Sequence, residues 1–418
     1  MMKNYLSTSS LIICLFLLII CENKLLSNTR KPTFVKSALQ ANKITIAHPA
    51  MLHTKSDFEF IKGKLAHKLQ PWKAGFDVLA ASDFVSLNYV ANPQIKIVRG
   101  GETREEPDPD NYSNAFRDAA AAYQLGLMYN LTGNTKYADK AVQILNAWAI
   151  TNKSITGNSN KFLASGIYGY QFANAAELVR GYSGWKTAEF KTFQNWMLNV
   201  WYPMALDFLQ RHNGTCATHY WTNWDIANMT TILSIGILTD DQAKINYAID
   251  YFKKGIGNGN IFKAVVYRHK VGNEDLGQGQ ESGRDQGHAT LNISLYGAFC
   301  QMAYNIGIDL FAFDNSRVLA LAEYTAKYNV DTTNSVPFLP YKNCDPGIEH
   351  HTVSSAGRGN VRPCWELIFN HYAKIKGLKA TYSQQFASKL RPEGGGGNYG
   401  PKSGGFDQLG FGTLMYSR

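Results

Sequence analysis

Apolar positions along this chain recur at helical spacing, and the segments that carry them alternate between two kinds. Residues 113–130, 168–182, 223–238 and 285–306 are apolar on nearly all sides, the pattern of a helix enclosed by protein. Residues 136–149, 187–210, 241–254 and 316–328 each keep one polar face, the pattern of a helix between core and water. A capped helical segment over 56–80 precedes the series, and 361–375 and 380–390 complete it.

The alternation reads as a repeating helical hairpin with an irregular period near fifty residues. Two architectures satisfy it. One is an (α/α) toroid, closed or horseshoe-shaped, with buried inner helices and half-wet outer ones. The other is an open solenoid of the tetratricopeptide type, which the Tyr137-Ala138-Asp139-Lys140-Ala141 stretch resembles. Solenoid turns are short and uniform, whereas the loops ahead of the inner segments here are long and polar. The expectation is therefore an all-α fold, an (α/α) toroid of about six to seven helical hairpins whose inner helices line a central cleft. Strand patterning is scarce, with one short strand expected over 262–268, and the Gly-rich stretch 392–418 reads as an irregular tail.

Composition narrows the setting. Lys3 and the apolar run 11–20 form an export signal over about residues 1–24, too short for a comfortable membrane span. Simple secretion is favoured over a lipid anchor at Cys21, because Ile20 replaces the small residue expected before such a cysteine. Residues 25–418 then form a single toroid domain with no further span. The net charge of +10 is spread without the Lys/Arg blocks of a nucleic-acid binder, which fits an anionic partner such as an acidic polysaccharide and equally a generic solvated surface. The 13% aromatic content fits rings stacked on sugars as well as core filling. Four cysteines follow the signal and none sits in a CxxC pair, so no metal site or cofactor is expected; Cys344 and Cys364 are the more plausible disulfide.

The densest chemistry lies in Gln280-Glu281-Ser282-Gly283-Arg284-Asp285-Gln286-Gly287-His288, at the mouth of an apolar helix. In a toroid the inner-helix entrances converge, which pools Arg117, Tyr168, Gln171, Asn174, His219, Tyr220, Asn223, Trp224, Glu281, Arg284, His288, His350 and Arg358 as candidates. No Gly-x-Ser-x-Gly elbow, His-Glu-x-x-His motif or phosphate loop is present. What remains suits β-elimination on a uronic acid polymer. Asn or Arg neutralises the C6 carboxylate, His takes the C5 proton, and a Tyr protonates the leaving oxygen. Asn223 and Arg284 are assigned to the carboxylate and His288 to the proton. Tyr168 and Tyr220 lead for the acid, with His219 beside them. Arg117, Gln171, Asn174, Trp224, Glu281, His350 and Arg358 are expected to contact substrate. Bland alternatives exist: Glu281 and Arg284 pair with each other, Asp285 caps its helix, and Asp225 caps the preceding inner helix.

Several stretches resemble the alginate lyase superfamily of polysaccharide lyases with (α/α) toroid folds. They are His48-Pro49-Ala50-Met51-Leu52-His53-Thr54, Tyr170-Gln171-Phe172-Ala173-Asn174-Ala175-Ala176-Glu177, and Asn223-Trp224 with Thr239-Asp240-Asp241 closing its helix. The Glu281–His288 run and Glu323-Tyr324-Thr325-Ala326-Lys327-Tyr328-Asn329 add to them, so the likeness covers about residues 48–375. It implies metal-independent lysis giving a 4,5-unsaturated end, with alginate the usual substrate and glucuronan next. Better-known members carry adjacent Asn-His before the Tyr-Trp step. Here Thr218-His219 precede Tyr220-Trp221, and Asn223 stands in for the missing Asn. Those members also place a catalytic Tyr where His288 falls.

Two rival readings remain. A glycoside hydrolase on the same scaffold would pair two carboxylates among Asp225, Glu281 and Asp285. A glycan-binding helical solenoid would need no proton-transfer group.

Overall fold

The expected helix over 56–80 is two helices, α1 (Lys55–Ala66) and α2 (Trp72–Ala80), because Pro71 has no N–H to carry the ladder between them. Thr54 opens α1 through a reciprocal capping box with Asp57. The computed structural model describes residues 44–397 and 405–418, all within one compact unit. The export signal and Cys21 lie outside the described residues.

Hairpins follow. A short strand β1 (Lys96–Val98) leads into α3 (Ser113–Thr132), and Gly133, at φ 73°, turns the chain into α4 (Thr135–Thr151). Strand β2 (Ser154–Thr156) pairs in parallel with β1 and leads into α5 (Asn160–Val179). The amphipathic stretch 187–210 forms α6 (Thr187–Trp196) and α7 (Tyr202–Arg211), joined by a π-helical turn over Met197–Trp201. Then come α8 (Thr222–Leu238) and α9 (Gln242–Lys254), the latter capped by Asp241.

The expected strand over 262–268 starts as a helical turn, α10 (Ile261–Ala264), and continues as β3 (Val265–Val271), antiparallel to β4 (Glu274–Gly279). Helix α11 (Gln286–Asn305) and α12 (Phe313–Val330) form the next hairpin. A long connection carries a two-residue ladder, β5 (Tyr341–Lys342) with β6 (Glu349–His350). The helical series closes with α13 (Trp365–Phe369), which runs on as a π turn, and α14 (Thr381–Leu390).

Helices α3, α5, α8 and α11 are the inner ring, packed in that order, with α4, α7, α9 and α12 outside. Every residue of α8 is buried. Its polar side chains survive there by bonding backbone: Thr230 Oγ1 donates to the Ile226 carbonyl (2.6 Å) and Thr231 Oγ1 to that of Gly166 (2.7 Å). Such contact across α5 and α8 needs small residues, since a Cβ on Gly166 would lie 2.7 Å from the Ala227 backbone. This is the (α/α) toroid expected from the alternation.

The tail departs from expectation. Residues 412–416 form a fifteenth helix, α15 (Gly412–Tyr416), which packs against α13 on one side and α2 on the other and so closes the ring. Gly75 permits the approach, because a Cβ there would lie 2.8 Å from the Leu414 nitrogen. Glu393, Asp407, Gln408 and Thr413 are buried, so glycine content marked close approach here rather than irregular surface.

Candidate active site

The mouth of α11 is built on one carboxylate. Asp285 is the helix N-cap: Oδ1 accepts from the His288 backbone N–H at 2.9 Å, and Oδ2 lies 2.6 Å from His288 Nδ1. A carboxylate only accepts, so the bond assigns the proton to Nδ1 and leaves Nε2 of the neutral ring as an acceptor. Burial works against the charge on Asp285, but the His288 ring and backbone and the nearby Arg284 hold its pKa below the usual value. Arg284 Nε lies 3.8 Å from the same Oδ2. A cation and an imidazole therefore flank one buried oxygen, and both stay partly open, at 25% and 17% exposure against 5% for Asp285.

Glu281 orients Arg284. It is fully buried and accepts from Arg284 Nη1 (2.7 Å), the Asn223 N–H (2.9 Å), Asn223 Nδ2 (2.7 and 2.8 Å) and Asn292 Nδ2 (3.0 Å). The i,i+3 pairing expected as a bland alternative is thus present, and it fixes the guanidinium over the Trp221 ring at 4.7 Å. Asn223 differs from its assigned part. Its amide N–H groups point at Glu281 inside the protein, so it supports the arginine instead of meeting a substrate carboxylate. Asp225 does not cap α8 either; it sits in the first turn, fully buried, bound to His212 Nε2 and the Tyr251 hydroxyl at 3.0 Å each.

A cross-link builds the neighbouring wall. Cys216 bonds Cys344, not Cys364, joining loops 128 residues apart. Cys364 is a free, buried thiol at the start of α13. Around the bridge His219 Nδ1 meets Asp345 Oδ2 at 2.9 Å, and His350 packs edge-on to Trp221 with ring centroids 5.6 Å apart. Gly283 leaves room for His350, as a Cβ there would lie 2.5 Å from that of His350. Tyr341 faces His350 across the β5–β6 ladder, so both side chains leave the same face. Burial pushes the Tyr341 phenol up, the Gln280 and Asn258 amides beside it pull it down, and Glu281 adds its field. No periodic pattern marks Tyr341, because it sits in the long connection after α12. Its only signal was a Tyr close to Cys344.

Most other candidates are engaged within the protein. Tyr220 is buried against Trp224 (4.7 Å) and Phe208 (5.1 Å), its hydroxyl taking a bond from Asn213, so Tyr220 and Trp224 are core. Asn174 holds the Leu52 N–H, and Gln171 donates to the Phe406 carbonyl; both are buried. Arg358 clamps the carbonyls of Tyr328 and Asp331 and stacks on Tyr328. These four buried or clamped side chains, Gln171, Asn174, Trp224 and Arg358, do not present groups to a ligand as expected. Arg117 is exposed in a cavity of about 630 Å³ that shares no residue with the α11 mouth. Tyr168 is buried under Tyr112, parallel to it at 6.1 Å, and burial raises its phenol pKa far above 10. Among the described residues no cluster of His, Cys, Asp or Glu is arranged to hold a metal ion.

The inner mouths of this ring of helical hairpins thus gather a guanidinium, an imidazole and buried carboxylates. The alginate lyase family model matches residues 79–336, more than half of the chain. The chain therefore belongs to the alginate lyase family and is a polysaccharide lyase. In fold it is similar to an alginate lyase from Bacteroides ovatus, with a TM-score of 0.55 at 13% identity over 89% of this chain and 100% of that one. Alginate lyase A1-III from Sphingomonas species A1 gives a TM-score of 0.55 at 14% identity, again over 89% of this chain and 100% of that one. A variant of that enzyme complexed with a tetrasaccharide gives 0.54 at 15%, over 89% and 99%. No curated protein sequence matches the chain. No described helix is long and apolar enough to cross a membrane.

Proposed function

We propose that this enzyme is secreted and cleaves a 1,4-linked uronate polymer, alginate first and glucuronan next, by β-elimination. Arg284, held by Glu281 and stacked on Trp221, binds the C6 carboxylate of the uronate at the cleavage point. Pairing that charge makes the neighbouring C5–H more acidic. His288 Nε2 takes the C5 proton, the electron pair forms the C4=C5 double bond, and the C4–O4 bond breaks. The Tyr341 phenol, its pKa raised further by burial, gives its proton to the departing O4. Asn223, Asn292 and Glu281 act through Arg284, and Asp285 acts through His288.

One observation carries this reading: Asp285 Oδ2 lies 2.6 Å from His288 Nδ1 and 3.8 Å from Arg284 Nε, so a proton acceptor and a carboxylate-binding cation leave one anchor side by side. The hydrolase alternative finds less support. Asp225, Glu281 and Asp285 are all buried and engaged, which leaves no free pair of carboxyls to activate a water. The test offers alginate of defined block types, glucuronan and neutral glycans to the purified enzyme and follows ultraviolet absorbance and product mass. A conjugated uronate must appear with at least one acidic polymer and vanish in His288→Ala. New reducing ends without unsaturation would make the enzyme a hydrolase. Binding without turnover would make it a lectin.

A further inference from the structure

Arg99 is a cation whose placement the centre just described does not use. It follows β1, and its backbone is pinned by β2: its N–H donates to the Thr156 carbonyl at 3.1 Å. A Cβ on Gly157 would sit 1.9 Å from the Arg99 carbonyl oxygen, so only glycine tolerates this contact. The guanidinium lies 4.8 Å from the centre of the Tyr112 ring and 5.7 Å from that of Tyr168, against both members of a parallel pair whose own centres are 6.1 Å apart.

The neighbouring arginines have carboxylate partners: Arg284 has Glu281 and Arg362 has Asp407. Arg99 makes no ion pair among the described residues, and its Nη1 is buried without a hydrogen-bond partner. The chain between 397 and 405 carries no Asp or Glu that would supply one. A buried donor left unpaired is unfavourable, the more so when charged. Stacking on tyrosine offsets only part of that. One guanidinium nitrogen of a half-buried arginine is thus shielded from water with no anion beside it among the described residues.

Arg99 and the α11 mouth share one buried neighbour, Asp407. Arg99 stands at the entrance of α3, and Arg284 at that of α11, with α5 and α8 between them round the inner ring. Asp407 senses both sides: burial raises its pKa, and Arg362, His288 and Arg99 each oppose the rise. In an extended 1,4-linked polyuronate, successive carboxylates fall on opposite flanks of the chain. A chain lying across the mouth with one carboxylate on Arg284 turns a neighbouring one toward the α3 wall.

We infer that Arg99 binds a second uronate carboxylate, on a sugar adjoining the one held by Arg284, so that this lyase reads two acidic residues rather than one. The inference rests on the lyase reading of the Arg284–His288 centre. It is tested by equilibrium binding on a His288→Ala background, where turnover does not interfere, with and without Arg99→Met. The probes are short oligouronates and the same oligomers carboxyl-reduced on every sugar but one. Arg99→Met should weaken oligouronate binding about 10- to 100-fold, the size of one charged hydrogen-bonded contact, and the single-uronate probe no more than about twofold. Arg99→Lys should restore part of the loss. Equal weakening of both probes, or no weakening of either, overturns the inference. Failure of the lyase reading shows separately, as wild-type enzyme that forms no unsaturated product, while the binding comparison still reports on Arg99.

Discussion

Replacing Asp285 by Asn separates the chemistry of His288 from its position. Asn caps helices about as well as Asp, so its Oδ1 keeps the 2.9 Å bond from the His288 N–H and α11 still starts at Gln286. The other contact changes sign. The 2.6 Å bond now sets an amide N–H against Nδ1, which becomes an acceptor and sends the ring proton to Nε2. An Nε2 that carries a proton cannot take one from C5. General acid–base catalysis is worth about 10²–10⁴ in rate, so kcat should fall by that factor, or about 2.7–5.4 kcal/mol of barrier. Stability should fall far less. The lost charge at the helix N-terminus is worth about 0.3–1 kcal/mol. The folded pKa of Asp285 lies below its ordinary 3.8, so its stabilising effect is complete above that pH and disappears only as pH falls through the lowered value. Initial rates from product absorbance at neutral pH, with thermal unfolding of the same samples, measure both effects. A folded Asp285→Asn enzyme with kcat within about threefold of wild type would refute His288 as the proton acceptor.

Three further outcomes are expected. Gly166→Ala should cost about 1–3 kcal/mol in denaturant unfolding, because its Cβ meets the Ala227 backbone at 2.7 Å and α5 and α8 must part; an unchanged midpoint would show that the helices are not in close contact. At His48, burial lowers the pKa, but the hydrogen bond and charge of Glu177 together with Asp240 outweigh it and the net shift is upward from 6.5. Its stabilising effect is therefore complete below pH 6.5 and lost as pH rises through the folded value, so the Tm gap between wild type and His48→Gln should narrow with rising pH, and a constant gap contradicts the pairing. Peptide mapping should recover Cys216 linked to Cys344 with Cys300 and Cys364 as thiols, and the Cys216→Ser, Cys344→Ser double variant should lose roughly 2–4 kcal/mol and bind uronate polymer more weakly as its wall loosens; a Cys344–Cys364 peptide would contradict the structure.

The helices and several of their ends were legible in the chain because the information is local. An apolar stripe repeats within four residues, and so does a cap such as Asp285 with His288 or a pair such as Glu281 with Arg284. The order of buried and half-wet helices set the toroid for the same reason. What only the tertiary structure decided is which polar groups at the inner mouths face the cleft. Asn223, Gln171 and Asn174 share the composition of binding residues, yet each is turned inward by a partner far along the chain: Glu281, Phe406 and Leu52. Tyr341, Arg99, the Cys216–Cys344 bridge and the ring-closing α15 are likewise set by long-range contacts. Periodicity is a property of one helix and can be read along it. The exposure of a side chain is set by whatever packs on it, and for Asn223, Gln171 and Asn174 those neighbours arrive from more than fifty residues away.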